Sequence, residues 1–266
     1  MKSVTGIGLA DVQAVYGGPE GRLWELIMGE QIHIGGFVSS MDLAETAGIR
    51  ARMKGVDLCC CSGAGMRFLV RLRDVARMHG VDATQTVVEQ GRQRCQQAGL
   101  AGRIQFTLGD VCNSGLASHS ADFVWGEDAW CYVVAKAKLI AEAVRIVKPG
   151  GTIAFTDWVE GDNLLPQEAE RYLRFMKFPN VLSINDYRKL LEDHGCEVLV
   201  AKDTGRFAPY VDLYLNMLGM QLTYDALKII GFDQDLMKAM AGEMAFMQQL
   251  AHEGKIAQGL FVARKR

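Results

Sequence analysis

An α/β fold built on a mostly parallel, seven-stranded sheet with helices on both faces is what this sequence predicts, and three observations predict it. From about Lys54 to Trp158, short apolar runs alternate with stretches of helical periodicity, the pattern of βαβ units. Two more strand-like runs follow towards the C-terminus, one on each side of a long helical excursion. The 266 residues suffice for one large domain with a well-buried core and a small cap.

In chain order, strands are expected at Val56–Cys60, Met78–Val81, Ile104–Leu108, Phe123–Trp125 and Thr152–Thr156. Helices are expected between them at Met66–Ala76, Gln85–Ala98 and Lys136–Val147. Lys148-Pro149-Gly150-Gly151 stops the last of these, because Pro cannot continue a helix and Gly suits the turn. Ser183-Ile184-Asn185-Asp186 reads as a capping box, with Asp in the place of the usual Glu or Gln, opening a helix over Tyr187–His194. Gly195 ends that helix, and Cys196–Ala201 reads as a strand. Pro209–Leu222 and Tyr224–His252 are helical and rich in Met and Leu. Such a stripe is either a packed helical cap or a lid over an apolar-walled pocket, since Met adapts to varied shapes. Gln258–Ala263 is a terminal strand. The division that results is an N-terminal helical lid over residues 1–50 and a main domain over 51–266, with helical cap insertions at about 159–182 and 207–254.

Composition narrows the function. Twenty-nine basic and 31 acidic side chains give a formal net charge of -2, which offers no electrostatic reason to expect a nucleic-acid partner. The longest apolar runs fall far short of the roughly 20 residues that a membrane span needs, so no stable membrane insertion is expected. Met1 to Val15 lacks the apolar stretch of a signal peptide, and a cytoplasmic location is the default expectation. Seven cysteines, an odd number, include the run Cys59-Cys60-Cys61. They are expected to be reduced and to pack as small apolar residues. No second cysteine pair or His-x-x-x-His completes a ligand set, so no metal is expected.

The segment Val56-Asp57-Leu58-Cys59-Cys60-Cys61-Ser62-Gly63-Ala64-Gly65 carries the chemistry. A strand ends, a loop of small residues follows, and a helix begins. Small residues let the backbone approach a ligand, and the helix N-terminus favours an anion. A dinucleotide fingerprint GxGxxG read from Gly63 fails at its third glycine, which is Phe68. Instead, Asp57-Leu58-Cys59-Cys60-Cys61-Ser62-Gly63 resembles the first motif of class I S-adenosylmethionine (SAM) dependent methyltransferases, Asp-Leu-Gly-Cys-Gly-x-Gly. Cys59 and Cys61 stand where that motif has glycines, and if the backbone there needs a positive φ, cysteine is costly. The resemblance implies a Rossmann-like sheet, SAM as cofactor and S-adenosylhomocysteine as product.

Further motifs follow in the same order. Gly80-Val81-Asp82 ends the second strand, which places Asp82 and the adjoining Ala83 where ribose hydroxyls are held. Asp82 alternatively caps the next helix. The resemblance implies that Asp110 meets the adenine amino group and Val111 the ring. Asp122 to Tyr132, at the ligand edge of the fourth strand, is similar to the sarcosine/dimethylglycine methyltransferases, whose loop reads Asp-Ala-Phe-Leu-His; here it is Asp128-Ala129-Trp130-Cys131-Tyr132, with Glu127 before it. Tyr16-Gly17-Gly18-Pro19-Glu20 and Gly29 to Gly36 resemble the segment that covers SAM in the sarcosine/dimethylglycine, tocopherol and sterol methyltransferase groups. That adds Tyr16 and Gln31 to the cofactor side and His33 to the acceptor side. Asp157-Trp158 ends the fifth strand at the same edge.

The reaction expected is in-line displacement at the SAM methyl, with the protein supplying orientation and a dry site. A neutral amine needs no base, whereas a phenol or carbon acid would need His33, Asp128 or Tyr132. Trp130, Tyr132 and Trp158 offer faces to a methylated ammonium. A small amine or amino acid is therefore the expected acceptor. The alternatives are C-methylation of a sterol-like or prenylated lipid, and a non-catalytic SAM-binding module. The expected partner is a small molecule; a homodimer is left open.

Overall fold

The computed structural model describes Met1–Arg266. A two-residue strand, β1 (Lys2–Ser3), leads into three helices, α1 (Leu9–Gly17), α2 (Pro19–Met28) and α3 (Gly36–Thr46). Pro19 at the first turn of α2 supplies a preset φ where its missing N–H costs nothing. Strands and helices then alternate: β2 (Lys54–Leu58), α4 (Ala64–Leu72), β3 (Arg77–Asp82), α5 (Gln85–Gln97), β4 (Ile104–Leu108) and β5 (Ala121–Glu127). A single 3-10 turn, Trp130–Tyr132, precedes α6 (Lys136–Ile146) and β6 (Val147–Glu160). The C-terminal third comprises α7 (Pro166–Met176), β7 (Asn180–Val181), α8 (Ile184–Asp193), β8 (Cys196–Asp203), α9 (Phe207–Gly219), α10 (Thr223–Ile229), α11 (Gln234–His252) and β9 (Ile256–Lys265).

The main sheet has seven strands in the spatial order β4-β3-β2-β5-β6-β9-β8. Only β9 runs against its neighbours. Strand side chains alternate between the two faces. Phe123 and Trp125 pack with Leu43, Met66 and Leu69 of α3 and α4. Val124, between them, packs with Leu139 and Ile140 of α6 and Tyr187 of α8. Both faces are thus covered, which explains why the central strands read as nearly unbroken apolar runs. Gly55 is small because a Cβ there would lie 2.3 Å from the Phe123 ring. A third cluster joins Trp24 and Ile27 of α2 to α7, α9 and α11 through Trp158, Tyr172, Phe207 and Met247. The Met stripe is thus partly core: Met244 and Met247 are buried in this cluster.

The seven-stranded expectation stands, and several boundaries move. The helix before Lys148 does stop, but Lys148 to Gly151 lies inside β6, with Gly150 at φ +74° beside a register shift between Ala121 and Phe123. The capping box forms: Ser183 Oγ accepts from the Asp186 N–H (3.0 Å), and Asp186 Oδ2 accepts from the Ser183 N–H (3.1 Å). The helix consequently starts at Ile184, earlier than read. The expected helix over Tyr224–His252 is two. Gly231 and Phe232 take positive φ, and the Asp233 carboxylate caps a new helix at the N–H groups of Asp235 and Leu236. The pair β1–β7 was not foreseen, because two-residue strands carry no periodicity.

Candidate active site

The strand order reverses between β2 and β5, and a crevice opens there at the carboxyl ends of the strands, where such sheets bind ligands. It holds a cavity of about 370 Å³. The floor is the loop after β2. Cys59 and Cys61 both take left-handed φ, +64° and +48°, as does Gly63 at +75°. The cysteines therefore take the left-handed backbone that ordinarily favours glycine. The loop is held by β3: the N–H groups of Cys59 and Cys60 donate to the Val81 carbonyl (2.9 and 3.2 Å). Asp82 completes the clasp, accepting from the Cys61 N–H at Oδ2 and from the Thr84 N–H at Oδ1, both 2.9 Å. Cys59, Cys61, Asp82 and Ala83 all line the cavity; Gly63 does not, and instead starts α4 against the Phe106 ring. Burial and the nearby Asp82 push the Cys61 thiol up to about 12, and Cys59 and Cys60 also lie well above the usual thiol range. Thiols held protonated are poor nucleophiles and poor metal ligands.

Asp110 and Val111 line the far end, where Asp110 Oδ1 accepts from the Cys112 N–H (2.8 Å). At the near end Asp57 and Glu127 face the same space. Burial raises the Asp57 carboxyl well above its usual range, and Glu127 and Asp82 add to the rise. A ligand carrying positive charge relieves that repulsion, and SAM carries a sulfonium and an α-ammonium. Gly65 must be small, since a Cβ there would lie 2.4 Å from Glu127 Oε2.

The N-terminal segment forms the roof. Glu25 pairs with Arg94 and Glu30 with Arg67, and both arginines also donate to Ser62 of the floor loop. Gln13 Nε2 donates to the Ala83 carbonyl (2.7 Å). Gln31, His33 and Tyr16 reach the cavity. The Tyr16 and Tyr132 hydroxyls are 3.1 Å apart and their rings meet edge to face. Burial pushes both phenols above their usual value of 10. Asp128 also lines the cavity, but its carboxylate is already engaged: Ile34 N–H donates to Oδ2 (2.8 Å), and Gln258 Nε2 donates to both oxygens. It fastens the roof rather than standing free as a base.

Two expected acceptor residues are elsewhere. Trp130 is fully buried, stacked on Phe155 at 4.0 Å, with Nε1 donating to the Leu58 carbonyl (3.1 Å). It braces the end of β2 from below. Trp158 packs among Phe207, Phe178 and Tyr172. The fifth strand was expected to end near it. Instead β9 pairs with β6 from Thr152 to Glu160, so Trp158 lies inside a strand. His33 and Tyr132 share the cavity; the two tryptophans do not. Asp57, Ser40 and Gln258 were not named as site residues. Gln258 carried a signal, a polar residue in an apolar strand; Ser40, inside a helix, carried none.

Asp157 is also buried. It accepts from the Cys131 N–H (3.0 Å) and the Tyr187 hydroxyl (2.5 Å), and braces the 3-10 turn from behind. Burial raises it to about 6, against the pull of the Lys136 ammonium. A carboxyl raised in the folded state contributes stability below its unfolded value, near 4, which is lost as pH rises through 6. The loss is about 3 kcal/mol. Urea unfolding from pH 4 to 7 is expected to show wild type losing stability relative to Asp157→Asn; a difference independent of pH rejects the assignment.

Residues 56–155 match the model of a methyltransferase domain. Phosphoethanolamine N-methyltransferase 1 of Triticum aestivum is 23% identical over 200 residues, 75% of this chain and 38% of its own length, so the chain spans well under half of that relative. Sarcosine/dimethylglycine N-methyltransferase of Aphanothece halophytica is 26% identical over 199 residues, 68% of this chain and 70% of its own. Sterol and tocopherol methyltransferases are also among the relatives. The fold superposes on phosphoethanolamine N-methyltransferase 2 of Haemonchus contortus, a complex with phosphomonomethylethanolamine and S-adenosylhomocysteine, with a TM-score of 0.84 at 18% identity over 95% of this chain and 58% of that one. No helix is long and apolar enough to cross a membrane. Floor loop, acidic clasp and strand order agree with these likenesses: residues 56–155 form a methyltransferase domain, on the fold that the solved SAM-dependent methyltransferases share.

Proposed function

We propose that the protein transfers the SAM methyl group to the neutral nitrogen of a small amine or amino acid, with residues 1–50 acting as a lid. The observation that carries this reading is the Tyr16–Tyr132 hydroxyl pair in the cavity wall. Both phenols lie above 10, so neither accepts a proton from an acceptor near neutral pH. Asp128 is occupied by Ile34 and Gln258. An acceptor that needs no base fits such a wall. The amine lone pair forms the N–C bond as the C–S bond breaks, and the electron pair of that bond stays on sulfur. The positive charge passes to nitrogen, and the surplus proton leaves in water after release. Tyrosine faces attract the ammonium by roughly 0.5–2 kcal/mol each, and the carboxylates of the cavity favour it further. His33, Asp128 and Tyr132 remain the proposed acceptor-side residues; Tyr16, Gln31, Cys59, Cys61, Asp82, Ala83, Asp110, Val111 and Glu127 remain proposed for SAM, with Gly63 shaping the loop.

S-adenosylhomocysteine release across a panel of amines, phenols and sterol-like lipids tests this. Turnover is expected with amines, with kcat/KM rising with pH towards the amine's own pKa. Tyr132→Phe is expected to lower kcat about tenfold, the size of one hydrogen bond, with SAM affinity within twofold. Turnover on lipids alone would reject the amine and favour C-methylation. No turnover alongside firm SAM binding would favour a binding module.

A further inference from the structure

We propose that Ser40 is a positioning residue that orients Glu127 towards the cofactor and ties the seating of the roof to cofactor binding. Ser40 lies in α3, outside the cavity lining, and is fully buried. A hydroxyl is poorly placed inside a helix unless it has partners. This one has three. Gln31 Nε2 donates to it (2.9 Å), it donates to Glu127 Oε1 (2.5 Å), and His33 Nε2 stands 3.2 Å away. Gln31 and His33 belong to the roof, and Glu127 ends β5 in the sheet. One hydroxyl therefore joins the roof to the carboxyl end of β5, beside the Ile34–Asp128 fastening.

Proton accounting gives the joint a direction. The serine has one proton, and a carboxylate is the partner that can only accept. The hydroxyl therefore donates to Glu127 and accepts from Gln31. His33 Nε2 is also 3.3 Å from Glu127 Oε1, so serine and imidazole converge on the same oxygen. The other oxygen, Oε2, is left lying over Gly65 at the first turn of α4. Occupying Oε1 from the roof side leaves Oε2 for the cavity, where it would hold a cationic group of SAM. Without Ser40 the carboxylate keeps only the longer contact to His33 and is held less firmly, and Gln31 loses its anchor.

The inference concerns SAM alone and is independent of the acceptor, so it is read by calorimetry with SAM and S-adenosylhomocysteine on the full chain. Ser40→Ala is expected to weaken SAM binding about tenfold, with a Tm lower by a few degrees because Gln31 and Glu127 lose a buried partner. With any acceptor that turns over, KM for SAM is expected to rise about tenfold while kcat stays within threefold. Ser40→Thr, which keeps the hydroxyl, is expected to recover most of the affinity. A double-mutant cycle separates action through Glu127 from bulk structure: Ser40→Ala with Glu127→Gln is expected to be no weaker than Glu127→Gln alone. Additive losses, or a lowered Tm with unchanged SAM affinity, would overturn the proposal. Wild type that fails to bind SAM would instead fault the cofactor assignment.

Discussion

Asp82→Ala is expected to weaken SAM binding by about 2–3 kcal/mol, roughly 30- to 150-fold. Asp82 does two things at once. Its oxygens accept the N–H groups of Cys61 and Thr84, and the same carboxylate faces the cavity where ribose hydroxyls are proposed to lie. Alanine leaves two backbone donors without their partner. Each such donor costs about 1–3 kcal/mol before any solvent enters. The cost falls on binding because Cys61 belongs to the strained floor loop, which needs the clasp to keep its shape. Asp82→Asn keeps the size but offers one acceptor where two are needed, so an intermediate loss is expected. Calorimetry with SAM and S-adenosylhomocysteine should give equal losses for both, because they share the ribose. A loss confined to SAM would mean that Asp82 acts on the sulfonium, and unchanged affinity would remove it from the site.

The floor loop and its Asp82 clasp were legible in the chain because they are local. The floor loop joins β2 to α4, and Asp82 follows about 20 residues later on the adjacent strand. A short motif captures such geometry. The acceptor half was misread where it depended on partners far away. Trp158 was placed at a strand end because apolar patterning stops near Thr156. The strand runs on because β9, a hundred residues later, supplies hydrogen bonds up to Glu160. Trp130 was read as facing the substrate because its neighbours do. The turn that follows Asp128, itself at φ +50°, sends the ring under the sheet instead. Ser40 and Gln258 meet the site across 87 and 224 residues of sequence, distances at which no periodicity speaks. The break between α10 and α11 is a different failure. Gly231 and Asp233 are a helix stop and a helix cap in sequence, and the long Met-rich pattern outweighed them.

Replacing Cys59 and Cys61 together by glycine is expected to stabilise the protein and to keep or tighten SAM binding. Both residues sit at positive φ, +64° and +48°, where a Cβ costs about 1–2 kcal/mol relative to glycine. Part of that gain is returned, because glycine has more freedom to lose on folding, by roughly 0.5–1 kcal/mol each. Packing takes a further share at Cys59, whose side chain touches the cluster beneath the sheet. The net gain is about 1 kcal/mol for the pair, a rise in Tm of roughly 2–4 °C at this chain length. Cys61 should supply most of it. Binding gains separately. Both side chains line the cavity, and removing them lets the backbone approach the cofactor more closely. A three- to tenfold tightening is expected by calorimetry, with Cys61→Gly alone recovering more than Cys59→Gly. The thiols are held protonated by burial, so losing them removes no charge from the site. A double variant that is more stable yet binds SAM less tightly would show that the sulfurs touch the cofactor. Falls in both Tm and affinity would show that the cysteine side chains hold the loop in the shape that glycine cannot keep.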